Sequence, residues 1–180
     1  MSYYDSDWRI DAAVREGDIA GVRAALAAGP VGPWDGEPAL IQALKHAVLH
    51  PRLDIVRLLI AEMKRRGFKF YETMQEGLLA MAVRHDDVLE QLLADGLQPQ
   101  SARWSPALCA AVEQGRKGAA LRLLRAGAHA GHLGGAEGNQ RLVGWLQEEV
   151  RGAEAEAERL RISNQMFRAS IPALLQWGRV

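Results

Sequence analysis

The chain contains a single cysteine, Cys109, among 180 residues, so no internal disulfide can form. That suits a reducing compartment and excludes the disulfide-stapled class of small secreted domains. Neither charge is in excess, since 22 Lys and Arg balance 22 Asp and Glu. No global field therefore favours nucleic acid or an anionic membrane, and neither is expected as a partner. No run approaches the roughly 18 consecutive apolar residues that a transmembrane helix needs. The opening segment, "MSYYDSDWRIDAAV", sets two Asp ahead of any apolar run and has no basic start, so it is not expected to be a secretory signal. A cytoplasmic location is the expectation.

Catalytic signatures are missing too. There is no P-loop, no G-x-G-x-x-G and no G-x-S-x-G. The stretch "GHLGGAEGN" is glycine-rich, but it follows no strand and lacks the P-loop Lys. His46 and His50 stand four apart, a spacing that can hold zinc on one helix face. However, Ala47 occupies the place where the metalloprotease pattern has Glu, and no Cys or further His stands nearby to complete a tetrahedral site. Cys109 lies in an Ala-rich segment without a charged neighbour to lower its pKa, so it is expected to be a buried, inert side chain. Neither an enzyme nor a metal nor any other cofactor is expected.

What is present is apolar content of 48%, enough for a real core, and a pattern that recurs. Residues Leu108-Cys109-Ala110-Ala111-Val112 precede a turn at Gly115. The same register appears at Ile10-Asp11-Ala12-Ala13-Val14, at Leu44-Lys45-His46-Ala47-Val48 and at Leu79-Ala80-Met81-Ala82-Val83. Each has an aliphatic first residue, Ala fourth and Val fifth, which form one stripe along a short helix. Each is followed by a second apolar run: "VRAALAAG", "IVRLLIAEM", "VLEQLLADG" and "ALRLLRAG". The second run of the second unit continues through "AEMKRRGFKFYETMQ", about four residues beyond the others, and the turn of the third unit is two residues short. Gly29, Gly96 and Gly127 stand where a left-handed helix C-cap is wanted.

The starts at Ile10, Leu44, Leu79 and Leu108 are spaced 34, 35 and 29 residues apart. In this the chain resembles the ankyrin repeat family, whose unit is about 33 residues with a T-P-L-H-x-A signature. "SPALCAAVEQG" carries the resemblance best, with Ser105-Pro106 in place of Thr-Pro and Cys109 in place of His, and "LDIVRLLI" is similar to the family's second helix. The first three units lack the Thr-Pro pair. A fifth unit, from Leu133 and Ala136 into "RLVGWL", reads as a degenerate capping repeat. The resemblance implies an all-α, ankyrin-like helical repeat solenoid over residues 1–147, with a helical C-terminal extension or cap over 148–180.

The extension has its own period. Val143, Leu146, Val150, Ala153, Ala157, Leu160, Asn164, Phe167, Ile171 and Leu174 alternate steps of three and four, a heptad seam. Gly144, Gly152 and Pro172 weaken it as a helix, and Ser163 could cap a separate one. Three readings stand open: a cap on the last repeat, a homodimeric coiled coil, or a tail that docks on a partner.

The family resemblance implies protein binding through inter-repeat loops and the inner face of the first helices. Carried over position by position, the partner-binding residues are Trp34, Asp35, Phe68, Phe70, Tyr71, Arg103 and Trp104 in the loops, and His46, Met81, Arg84, His85 and Glu113 on the helix faces. Loop aromatics and Arg bring much contact area at little entropic cost. The expected function is a protein–protein interaction module, an adaptor or an inhibitor. The Ala-, Arg- and Gly-rich composition points to a bacterial source, and there to an immunity protein that blocks a toxin. The alternative is an assembly protein that oligomerises through the heptad helix. A monomer is expected, with a homodimer under that alternative.

Overall fold

The computed structural model describes residues 4–28, 36–100, 105–129 and 136–177. Among them are nine helices and no strand, so the protein is all-α. In chain order they are α1 (Tyr4–Glu16), α2 (Ile19–Ala27), α3 (Gly36–Leu49), α4 (Leu53–Arg65), α5 (Glu72–Ala82), α6 (Asp86–Ala94), α7 (Pro106–Glu113), α8 (Lys117–Arg125) and α9 (Ala136–Trp177). The chain divides into two compact units, residues 1–138 and 139–180.

In the first unit, consecutive helices pair as hairpins: α1 with α2, α3 with α4, α5 with α6, and α7 with α8. The first members then pack side by side as α1–α3–α5–α7, and the second members as α2–α4–α6–α8. The result is a two-layer stack of four hairpins. Its core follows the sequence register. Ile10, Leu44, Leu79 and Leu108 are buried, as are Val14, Val48, Val83 and Val112 four residues on. Between them lie the buried Ala13, Ala47, Ala82 and Ala111, whose small side chains let neighbouring helices approach.

The same alanines close the hairpin turns. The carbonyl of Ala13 accepts from the Asp18 N–H at 2.8 Å, that of Ala47 from Arg52 at 3.1 Å and that of Ala111 from Arg116 at 2.8 Å. In the third hairpin α5 ends at Ala82 itself and α6 starts four residues after it rather than six, and Ala82 accepts from His85 at 2.8 Å instead. Two of the three expected glycine caps form Schellman ends: Gly96 and Gly127 have φ of 91° and 98°. Their N–H groups donate to Leu93 and Leu124, and those of Leu97 and Ala128 to Leu92 and Leu123. Gly29 lies outside the described residues.

In the second layer, α4 has 13 residues where α2, α6 and α8 have nine each. The extra turn links its neighbours on both sides. Arg66 Nη2 donates to the Leu26 carbonyl of α2 at 3.5 Å, and Lys64 pairs with Asp95 after α6 at 3.1 Å. Within that turn Glu62 accepts from Arg65 and Arg66. The Arg65 hydrogen bond, against an opposing effect of burial and with help from Arg66, holds the Glu62 carboxyl down at about 2 from an ordinary 4.5. Further bridges between hairpins run from Arg57 Nε to Gln91 at 2.6 Å and from Arg122 to Asp86 at 2.6 Å.

The second unit holds all of α9 but its first three residues; α9 is 42 residues in one helix. It runs without interruption through Gly144, Gly152, Ser163 and Pro172. The expected division at 147/148 falls inside it, and "RLVGWL", read from sequence as part of a fifth repeat, belongs to it. Leu133 lies outside the described residues. Strong helix formers on either side of Gly152, in "QEEVRGAEAEAERLR", account for the continuity there.

Candidate functional site

Each first helix keeps one side clear of both layers. Two residues after the buried aliphatic position stand Ala12, His46, Met81 and Ala110, all half-buried. Five residues after it stand Arg15, Leu49, Arg84 and Glu113, all exposed. Positions three apart share a helix face, and the four helices form one row. Two parallel lines of side chains therefore run across the stack. His46 and Met81 belong to the inner line, Arg84 and Glu113 to the outer one. His85 sits half-buried in the turn, where its carbonyl accepts from the Leu89 N–H at 2.9 Å in the first turn of α6.

The outer line carries opposite charges at its ends, Arg15 and Glu113, with Leu49 at 47% exposure between Arg15 and Arg84. Sequence reasoning missed Leu49. The signal was available, because Leu49 holds the same register position as Arg84 and Glu113. Neighbouring helices tie the face together. Asp11 pairs with Arg15 at 2.8 Å and also accepts from His46 Nδ1 across α1 and α3. Arg84 Nε donates to Gln114 Oε1 at 2.9 Å, joining the ends of α5 and α7.

The α4–α5 loop brings Phe68, Phe70 and Tyr71 close in sequence but gives them different surroundings. The Phe68 and Phe70 rings meet edge to face, with centroids 5.2 Å apart at 73°, and both are half-buried. Tyr71 precedes α5 as its N-cap residue and is 69% exposed. Its carbonyl accepts from the Met74 and Gln75 N–H groups, both at 3.0 Å, so the ring stands on a fixed backbone. Trp34, Asp35, Arg103 and Trp104 lie outside the described residues.

Below this loop, Gln75 and Glu76 hold the α6–α7 connection. Gln75 Oε1 accepts from the Gln98 N–H at 2.7 Å, while its Nε2 donates to the Phe70 carbonyl at 2.8 Å. Glu76 is buried and accepts from the Gln100 N–H, from Ser105 Oγ at 3.3 Å and from the Ala107 N–H at 3.0 Å. The His129 N–H reaches the Gln100 carbonyl at 2.9 Å, continuing the ties to the loop after α8.

Among the described residues, no group of three or more His, Cys, Asp and Glu side chains could hold a metal ion. No described helix is long and apolar enough to cross a membrane. No protein-family model, curated protein or solved structure matches the chain.

Proposed function

We propose that this chain is an ankyrin-like repeat protein that binds another protein through the first-helix face and the α4–α5 loop. The observation that carries the reading is the pairing of a regular two-line face with large apolar groups left in water, Leu49 on the face and Tyr71 on the loop. Exposed apolar groups on an otherwise polar, hydrogen-bonded surface mark contact sites, and Tyr and Arg are the side chains most often found carrying binding energy. The face holds its shape through the Asp11–His46 and Arg84–Gln114 links, which lowers the ordering cost of binding. An adaptor and an inhibitor fit the face equally, the sharper form of the latter being a toxin-neutralising immunity protein.

The test is affinity capture of a partner from the native cell extract by the full chain, set beside Leu49→Glu and Tyr71→Ala. Loss of the captured protein with both variants, at an unchanged melting temperature, supports the reading. Equal capture by all three overturns it.

A further inference from the structure

From Leu146 to Arg161, every side chain of α9 that the structure describes is exposed. Val143 and Leu146 are 51% and 40% exposed, and Ala153 and Ala157 continue the same seam in water. A helix of this length draws its stability mainly from a packed apolar stripe. Two questions follow: what covers the seam, and in which direction.

Residue types at the heptad positions answer both. The a positions are 143, 150, 157, 164 and 171, and the d positions 146, 153, 160, 167 and 174. The flanking g positions carry Glu149 and Glu156, and the e positions Gln147, Glu154, Arg161 and Arg168. In a parallel pair of identical helices, each g residue faces the e residue five further along the second copy. That sets Glu149 against Glu154 and Glu156 against Arg161, so repulsion and attraction cancel. It also stacks Ala153 on Ala153 and Ala157 on Ala157, two successive layers that bury little. Only Asn164, an a-position side chain that can bond its own copy, favours that arrangement.

In an antiparallel pair, e faces e and a faces d. Alignment on the Ala157–Leu160 layer sets Ala153 opposite Asn164 and Val150 opposite Phe167, a smaller side chain against a larger one in each of these layers, and Leu146 opposite Ile171. The same alignment brings Glu154 to Arg161 twice by symmetry and Gln147 to Arg168, with no like-charge contact. Charge and volume agree on one direction.

We propose that α9 pairs antiparallel with a second copy of this chain, forming a two-fold dimer with Glu154 of each helix against Arg161 of the other. The dimer carries two copies of the first unit and stands independently of what that unit binds.

The experiment is light scattering of the purified full chain over a dilution series, with Glu154→Arg, Arg161→Glu and the double swap. The wild type is expected as a dimer. Either single reversal raises the dimer Kd about tenfold, because two attractive pairs become repulsive, and the double swap restores it. The two directions differ in sign at one position. In a parallel dimer Glu154→Arg would relieve the Glu149–Glu154 clash and tighten association. Tighter dimerisation of that variant, or a wild type monomeric at all concentrations, overturns the proposal. Circular dichroism of each variant checks that α9 remains helical, so a lost helix is not read as a lost interface.

Discussion

The Glu76 carboxylate of α5 accepts a hydrogen bond at 3.0 Å from the Ala107 N–H, in the first turn of α7. One hairpin thus caps the next. Ser105, the N-cap residue of α7, donates its hydroxyl to the same Glu76 oxygen, Oε2, at 3.3 Å and accepts from the Leu108 N–H at 3.3 Å. Glu76→Ala would leave the Gln100 and Ala107 N–H groups and the Ser105 hydroxyl short of a partner in a buried place. The expected loss is roughly 3 kcal/mol, or about 2–4 °C of melting temperature for each of them. Glu76→Gln keeps one acceptor oxygen and should lose less. A Glu76→Ala melting curve superimposable on the wild type would contradict the capping role.

This contact was not legible in the sequence, and the reason is general. A lone Glu in "MQEGLLAMAV" looks like a solvated helix residue, and its three partners come from 24 to 31 residues away. What was legible is whatever repeats. The aliphatic, Ala and Val positions of four hairpins, the shorter spacing from Ala82 to the next helix and the long α4 follow from local periodicity, because helix period and burial act on the same residues. For the face, His46, Met81, Arg84 and Glu113 were carried over from the family resemblance, and the helix register would have added Leu49, which holds the position of Arg84 and Glu113. The continuity of α9 was hidden by its glycines and Pro172, whose local cost the flanking residues outweigh.

Ala111 tests the register directly. Its side chain is fully buried in α7, which packs against both α5 and α8, and its carbonyl closes the turn to Arg116. Ala111→Leu adds three carbons where there is no room and should cost about 1–3 kcal/mol. Ala110→Leu, one residue along on the half-buried inner line, should cost far less. Chemical denaturation of the pair measures the difference, and equal losses would contradict the assignment of faces.

Cys109 is 5% exposed within α7. A thiol in that position reaches reagent only when the helix opens. Labelling of the native chain should therefore be slow and should rise steeply across the unfolding transition. Labelling as fast as that of the denatured chain would show that α7 does not shield it.

Glu62 sets an acid-sensitive contribution. Its folded pKa of about 2 lies below the ordinary 4.5, chiefly through Arg65. A depressed carboxyl stabilises the fold fully above the unfolded value, and that contribution disappears as pH falls from about 4.5 towards 2. Arg65 is 70% exposed, so solvent screening limits the effect to about 1 kcal/mol or less. Glu62→Gln should be less stable than the wild type at neutral pH by that amount, with the gap closing in acid. A gap that stays constant down to the lowest pH would assign the loss to packing instead.

The α4–α5 loop sets a half-buried ring pair and an exposed ring side by side within four residues. Phe70 is half-buried against Phe68 in an edge-to-face pair, and its carbonyl holds Gln75. Removing that ring exposes the Phe68 edge and loosens the loop that Gln75 joins to Gln98. Phe70→Ala should therefore lower stability by about 1–3 kcal/mol. Tyr71 is one residue on, yet its exposed ring contributes little to the folded state, and the hydrogen bonds at this position come from its backbone. Tyr71→Ala should move stability by less than about 0.5 kcal/mol. Against a partner the order should reverse: a truncated Tyr71 should weaken binding by roughly 2 kcal/mol, the scale of an aromatic contact excluded from water. Melting temperature alone tests the first half and needs no partner. A Tyr71→Ala variant that melts as early as Phe70→Ala would make Tyr71 a loop anchor like its neighbours and leave Leu49, among the described residues, as the large apolar side chain exposed on the face.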